Sequence, residues 1–119
     1  MENRLFDHER LDVYQAAIDF VILSDKILEE LPRGRAYLVD QLQRAASSVA
    51  LNIAEGAGEF ARQEKHRFYR MAKRSATECA AILDIGLKLG LIELNKLNHA
   101  RDLLFRMVSM LIKMVSPAL

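Results

Sequence analysis

Residues 41–56 read QLQRAASSVALNIAEG. Leu42, Ala45, Ala46, Val49 and Ile53 recur at steps of three and four, the spacing of one face of an α-helix. With Leu38 one turn earlier, the stripe describes a helix over about 35–57. A second stripe runs beside the first: Gln41, Arg44, Ser48, Asn52, Glu55 and Glu59. At about 100° per residue these six fall within roughly 60° of arc. A plain solvent face would be richer in Lys and Glu. This one mixes amides, a hydroxyl and single opposite charges, which suits a partly buried hydrogen-bonded network between helices or between subunits. A wet helix face is the other reading of the same spacing.

Outward from this helix, three more segments carry the same period. The first spans about 9–31, with Leu11, Tyr14, Ile18, Val21, Ile22 and Leu28 as its apolar stripe, Asp7 as its N-cap, and Pro32 and Gly34 ending it. The third spans about 62–89, with Phe68, Met71, Ala72, Ser75, Cys79, Ile82, Leu83 and Gly86 facing inward and Gly90 placed to close it. The fourth spans about 93–115 on Leu94, Leu97, Leu104, Met107, Leu111 and Met114. The Gly56-Ala57-Gly58 step follows a helix and no strand, so it reads as a helix stop rather than a phosphate loop. Nothing alternates with period two. The expectation is a single all-α domain over 1–119, an up-down-up-down antiparallel four-helix bundle with short loops, long and thin in shape.

Composition agrees. The 119 residues are 51% hydrophobic and 28% charged, with five Gly, two Pro and no Trp. That is globular, breaker-poor composition. A lone cysteine, Cys79, suits a reducing compartment. No apolar run reaches the length of a membrane span, and the charged opening residues leave no room for a signal-peptide core, so the expected location is the cytoplasm.

The net charge of +1 hides an asymmetry. Residues 1–31 hold three basic against eight acidic side chains, whereas residues 62–74 hold six basic residues against Glu64 alone. Arg62, His66, Arg70, Lys73 and Arg74 share one broad side of the third helix. Arg62, Arg70, Lys73 and Arg74 are the candidates for contact with nucleic-acid phosphates. Pairing with the acidic first helix of a neighbour would use the same charges. On the second helix, Arg44 and Glu55 lie about 16 Å apart and cannot meet. An antiparallel third helix would bring Glu78 level with Arg44, and Arg62 or Arg67 level with Glu55. Two interhelical ion pairs are therefore expected.

Catalytic and metal chemistry find no footing. None of His8, His66 and His99 has Glu three residues before it, as the metal sites of di-iron bundles need. Ser47, Ser48 and Ser75 have no histidine relay, and Cys79 lies on an apolar stripe. No catalytic residue, metal or cofactor is expected, and the chain is read as a non-enzyme.

Several stretches together resemble a known family. They are Phe6 with Leu11-Asp12-Val13-Tyr14-Gln15-Ala16-Ala17, the Arg44-Ala45-Ala46 to Asn52-Ile53-Ala54-Glu55-Gly56 run, and Arg67-Phe68 with Ala72, Ser75 and Glu78. They resemble the four-helix-bundle proteins encoded by intervening sequences in 23S ribosomal RNA genes. The resemblance covers nearly the whole chain. It implies a ring-like homopentamer with a central channel and no assigned enzymatic activity. It also implies a fold similar to accessory proteins of diversity-generating retroelements, which are basic and bind nucleic acid. The expected function is a non-enzymatic oligomeric helical scaffold that binds RNA or DNA through the third helix. In that reading Gln41, Arg44, Ser48, Asn52, Glu55 and Glu78 form a buried polar network or subunit interface. The alternative is a protein–protein interaction module with no nucleic-acid role.

Overall fold

Small side chains set how closely the central helices approach. The computed structural model describes residues 4–115. It contains a short 3-10 helix, Asp7–Arg10, followed by α1 (Asp12–Glu29), α2 (Ala36–Gly58), α3 (Arg62–Lys88) and α4 (Leu94–Val115). The α2–α3 pair forms the most extensive contact of the bundle. Ala45, Ala46 and Gly56 of α2 and Ala72 and Ala76 of α3 are all buried, which lets the two backbones pack closely.

Each helix touches its sequence neighbour, and α4 returns against α1, while the diagonal pairs do not approach. This is the up-down-up-down square expected from the four stripes. Its dimensions are 44 × 38 × 23 Å. Two helices side by side span roughly 20–24 Å. The 38 Å breadth makes the bundle broader than the thin rod expected.

The apolar stripe of α2 was correctly placed: Leu38, Leu42, Ala45, Ala46, Val49 and Ile53 are each at most 3% exposed. That of α1 was placed only in part, with Leu28 buried as expected. The inward face of α1 is Val13, Ala16, Ala17, Phe20, Ser24, Ile27 and Leu28. Leu11, Tyr14, Ile18 and Val21 pack at its edge, and Ile22 is 52% exposed. An α1 with apolar residues on two adjacent faces gave two possible registers, and only the neighbouring helices choose between them. Asp7 also does not cap α1. It opens the 3-10 helix, where the Glu9 carboxylate accepts the Phe6 N–H at 2.9 Å. In α4, Leu94 is exposed because it starts the helix beyond the core; Leu97, Ala100, Leu103, Leu104, Met107 and Leu111 are buried.

Helix ends explain the glycines. Gly90 has φ +73°. Its N–H reaches Leu87 O at 2.9 Å, and Leu91 N–H reaches Gly86 O at 2.8 Å. That paired closure of the last carbonyls needs a left-handed residue at Gly90. The Gly56–Gly58 step works differently. Both residues are helical, and Gly56 is buried against Tyr69. The end of α2 is closed by a side chain: Lys65 Nζ donates to Gly56 O at 2.9 Å and to Ala57 O at 3.0 Å. A cation on the terminal carbonyls is favourable with the helix dipole. Lys65→Met is expected to lower stability by about 1–2 kcal/mol. Thermal unfolding checks this, and an unchanged midpoint would mean that water closes this end equally well.

Candidate nucleic-acid interface on α3

Six cations lie on the first half of α3, and the structure divides them into two groups. Lys65 is turned back onto α2. Arg67 is paired on its own helix, with Nε 2.7 Å and Nη2 3.1 Å from the Glu64 carboxylate. That hydrogen bond lowers the Glu64 carboxyl below its usual range. The same bond chiefly holds Arg67 more firmly protonated, with Glu59 and Glu55 adding at longer range. The guanidinium also lies 4.6 Å from the Phe68 ring centroid. Arg62, Arg70, Lys73 and Arg74 form the second group. All four are exposed, and among the described residues none of their side chains has an ion-pair partner. At about 100° per residue they fall within roughly 120° of arc on one helix. Tyr69, the aromatic residue beside Arg70, is 4% exposed and packs against Gly56, so it offers no stacking surface. Burial pushes its phenol pKa upward.

The polar stripe of α2 is drawn together only at its centre. Asn52 Nδ2 donates to the Ser48 carbonyl at 2.9 Å and to Ser48 Oγ at 3.0 Å. Ser48 Oγ lies 2.9 Å from Ser75 Oγ, which ties α2 to α3. Asn52 is buried and Ser48 half-buried, whereas Gln41, Arg44, Glu55 and Glu78 are exposed. Above this triad lies an open cleft of about 350 Å³, lined by Ser48, Asn52, Met71, Arg74, Ser75 and Glu78. Ser75 was legible only as an inward residue of the third helix; its bond to Ser48 depends on the α2–α3 register.

Neither expected interhelical ion pair forms in the monomer. The ion pairs among the described residues are Arg67–Glu64, Lys96–Glu30 and Arg101–Asp84. The helix levels are as expected, but Arg44 and Glu78 are both exposed, where water competes with a pair worth little. At the other end, Glu64 sits one turn from Arg67 and captures it ahead of Glu55.

Two further grooves flank α4. One, of about 460 Å³, lies between α1 and α4 and includes Asp12, Gln15, Asp19, Phe105 and Arg106. The other lies between α3 and α4 and includes Ala76, Ala80, Leu104, Phe105 and Val108. Phe105 stands on the ridge between them, 77% exposed. The spacing of α4 did not single it out.

Cys79 is fully buried, and burial pushes its thiol up from an ordinary 9.0 to about 12, with the nearby Glu78 charge adding to the rise. The raised value favours the protonated thiol in the fold. Its contribution to stability is therefore complete below pH 9 and is lost progressively as pH rises toward 12. Labelling by a thiol reagent at pH 8 is expected to proceed only at the rate of unfolding. Rapid modification of the native protein would contradict the burial. Among the described residues, no group of three or more His, Cys, Asp or Glu is placed to hold a metal ion. No helix there is long and apolar enough to cross a membrane.

The fold is similar to a crystal structure from Bacteroides thetaiotaomicron described as a protein of unknown function from the S23 ribosomal protein family. The match has a TM-score of 0.79 at 16% identity and covers 88% of this chain and 99% of that one. At that identity the likeness concerns the fold alone. No curated protein sequence matches significantly. The family model described as 23S rRNA-intervening sequence protein matches residues 9–113, which takes in all four helices and the polar triad. The chain belongs to the 23S rRNA-intervening sequence protein family.

Proposed function

We propose that the protein is a non-enzymatic scaffold that assembles from side-by-side bundles and binds RNA through the exposed face of α3. The observation that carries this reading is the division of the α3 cations. Lys65 and Arg67 are engaged within the fold, and Arg62, Arg70, Lys73 and Arg74 have no anionic partner among the described residues. Four cations on one face supply a sequence-independent attraction for nucleic-acid phosphates. Assembly is supported by exposed apolar side chains, among them Phe60 and Phe105, with Leu51 63% and Leu94 58% exposed. The family resemblance implies five copies in a ring. The reducing environment that the lone thiol suits makes the cytoplasm the proposed location.

The test is native mass and binding affinity for a short single-stranded RNA at about 50 and 200 mM salt. Four phosphate contacts give a log–log salt slope near −3, so affinity should fall roughly 50-fold over this range. Arg70→Ala with Arg74→Ala should halve that slope. Phe105→Glu should reduce the assembly to monomers, since a carboxylate cannot be buried unpaired at an interface. A pentamer indifferent to RNA at both salts would leave a scaffold whose partner is protein. A wild-type monomer would remove the assembly reading.

A further inference from the structure

We infer that the cleft between α2 and α3 is a slot for one unstacked guanine base of single-stranded RNA, read by Glu78 and Arg74. This rests on the phosphate-binding reading of α3 and adds base selectivity to it.

The floor of the slot is fixed. Asn52 is 8% exposed, and its Nδ2 is engaged by both Ser48 oxygens. Its Oδ1 accepts no bond from the described residues. No buried side-chain polar atom among the described residues lacks a partner, so this oxygen is not sealed from solvent, and Asn52 lines the cleft. The Ser48–Ser75 pair uses one hydroxyl hydrogen in either direction, which leaves the other hydrogen for a ligand. The floor therefore offers one acceptor and one donor in a preorganised position.

The walls carry opposite charges that do not neutralise each other. Arg74 and Glu78 are one turn apart on α3 and line the same cleft, yet they form no ion pair. A guanidinium and a carboxylate thus line one cleft, and Met71, one turn before Arg74, adds an apolar surface to it. Arg67 Nη1 lies 3.5 Å from Met71 Sδ, which holds that side chain in place. The volume of about 350 Å³ falls in the ordinary range for small-ligand sites.

The donor pattern selects the base. A carboxylate that accepts two parallel hydrogen bonds needs two adjacent N–H groups. Among the four neutral RNA bases, guanine alone offers them on one edge, at N1 and N2. Its O6 and N7 are acceptors that suit an arginine fork. Uracil has a single N–H, and adenine and cytosine each present an amino group beside a ring acceptor that would face the carboxylate. Single-stranded RNA is read in this way, with splayed bases bonded along their edges. Arg74 lines the cleft and is also one of the four exposed cations; with a guanine in the slot it bonds the base and leaves the phosphates to Arg62, Arg70 and Lys73.

The slot is tested first without phosphates, by titrating the folded full-length protein with guanosine, inosine, adenosine and cytidine and following backbone amide shifts. Guanosine is expected to move Ser48, Asn52, Ser75 and Glu78 signals. Inosine, which lacks the N2 amino group, should bind more weakly, and the other two should not bind there. Absence of guanosine-specific shifts at these residues overturns the slot, whatever RNA does on α3. A second arm compares a uridine decamer with the same decamer carrying one central guanosine. Wild type should prefer the latter by roughly 5- to 150-fold, the range of a bidentate base contact. Glu78→Gln should remove the preference. Equal affinity of wild type for both strands would overturn the slot and leave phosphate binding standing. Guanosine binding with no affinity for either strand would do the reverse.

Discussion

Phe20→Ala is expected to lower the unfolding free energy by about 3–5 kcal/mol, the range for deleting a fully buried aromatic side chain. Phe20 is 0% exposed and sits at the middle of α1. Against a typical domain stability of about 5–15 kcal/mol, the loss is large enough to see in any denaturant titration. Ile22, two positions on, is 52% exposed, and Ile22→Ala should change stability by less than about 0.5 kcal/mol. The pair tests the rotation of α1 directly. If the two substitutions cost the same, or Ile22 costs more, α1 is rotated relative to the structure. An unchanged m-value in both variants would show that the comparison concerns stability and not a new unfolded state.

Gly56→Val should destabilise by about 3 kcal/mol or more, at the upper end of overpacking effects. A Cβ at Gly56 would lie 2.7 Å from Tyr69 Cε1, 2.9 Å from Tyr69 Cδ1 and 3.1 Å from Phe68 Cβ. Flexible chain ends do not surround it: two of those atoms belong to a buried ring, and the third is fixed by its own backbone. Gly56→Ala gains helix propensity of up to about 1 kcal/mol, but the overlap of about 1–3 kcal/mol exceeds it. A net loss is therefore expected even for alanine. Gly58 is the control. It has open space around its Cβ position and no positive φ, so Gly58→Ala should be neutral or stabilise by up to about 1 kcal/mol. Combining Gly56→Ala with Tyr69→Ala should recover part of the alanine loss, and strict additivity of the two would show that the close approach is not the cause. Chemical denaturation of these variants, with Tyr69→Ala alone completing the cycle, decides the matter.

The candidate interface was readable in part. The six cations of α3 stand in the sequence, but their division does not. Lys65 reaches carbonyls eight and nine positions earlier, across the α2–α3 turn. That contact leaves no mark in spacing. Tyr69 is the converse case: its place on the helix allowed an outward ring, and the absence of a side chain at Gly56 drew it inward. The polar stripe of α2 announced itself by composition. The triad Ser48–Asn52–Ser75 emerged only when two helices came into register, and the Arg44–Glu78 and Glu55 pairs expected from level alone did not form.

Local chemistry in the chain determined the four helices, the stops at Pro32 and Gly90, the square connectivity and the inner face of α2. Each of these depends on residues within one or two turns of one another, where propensity, apolar period and loop length act without reference to the rest of the molecule. Tertiary structure alone decided which of two faces α1 buries, why Gly56 is a glycine, which α3 cations remain free and where the cleft opens. Those outcomes depend on packing between helices distant in sequence, where a ring, a missing Cβ or a carbonyl on the next helix sets the energy of a side chain whose own neighbours permit several positions.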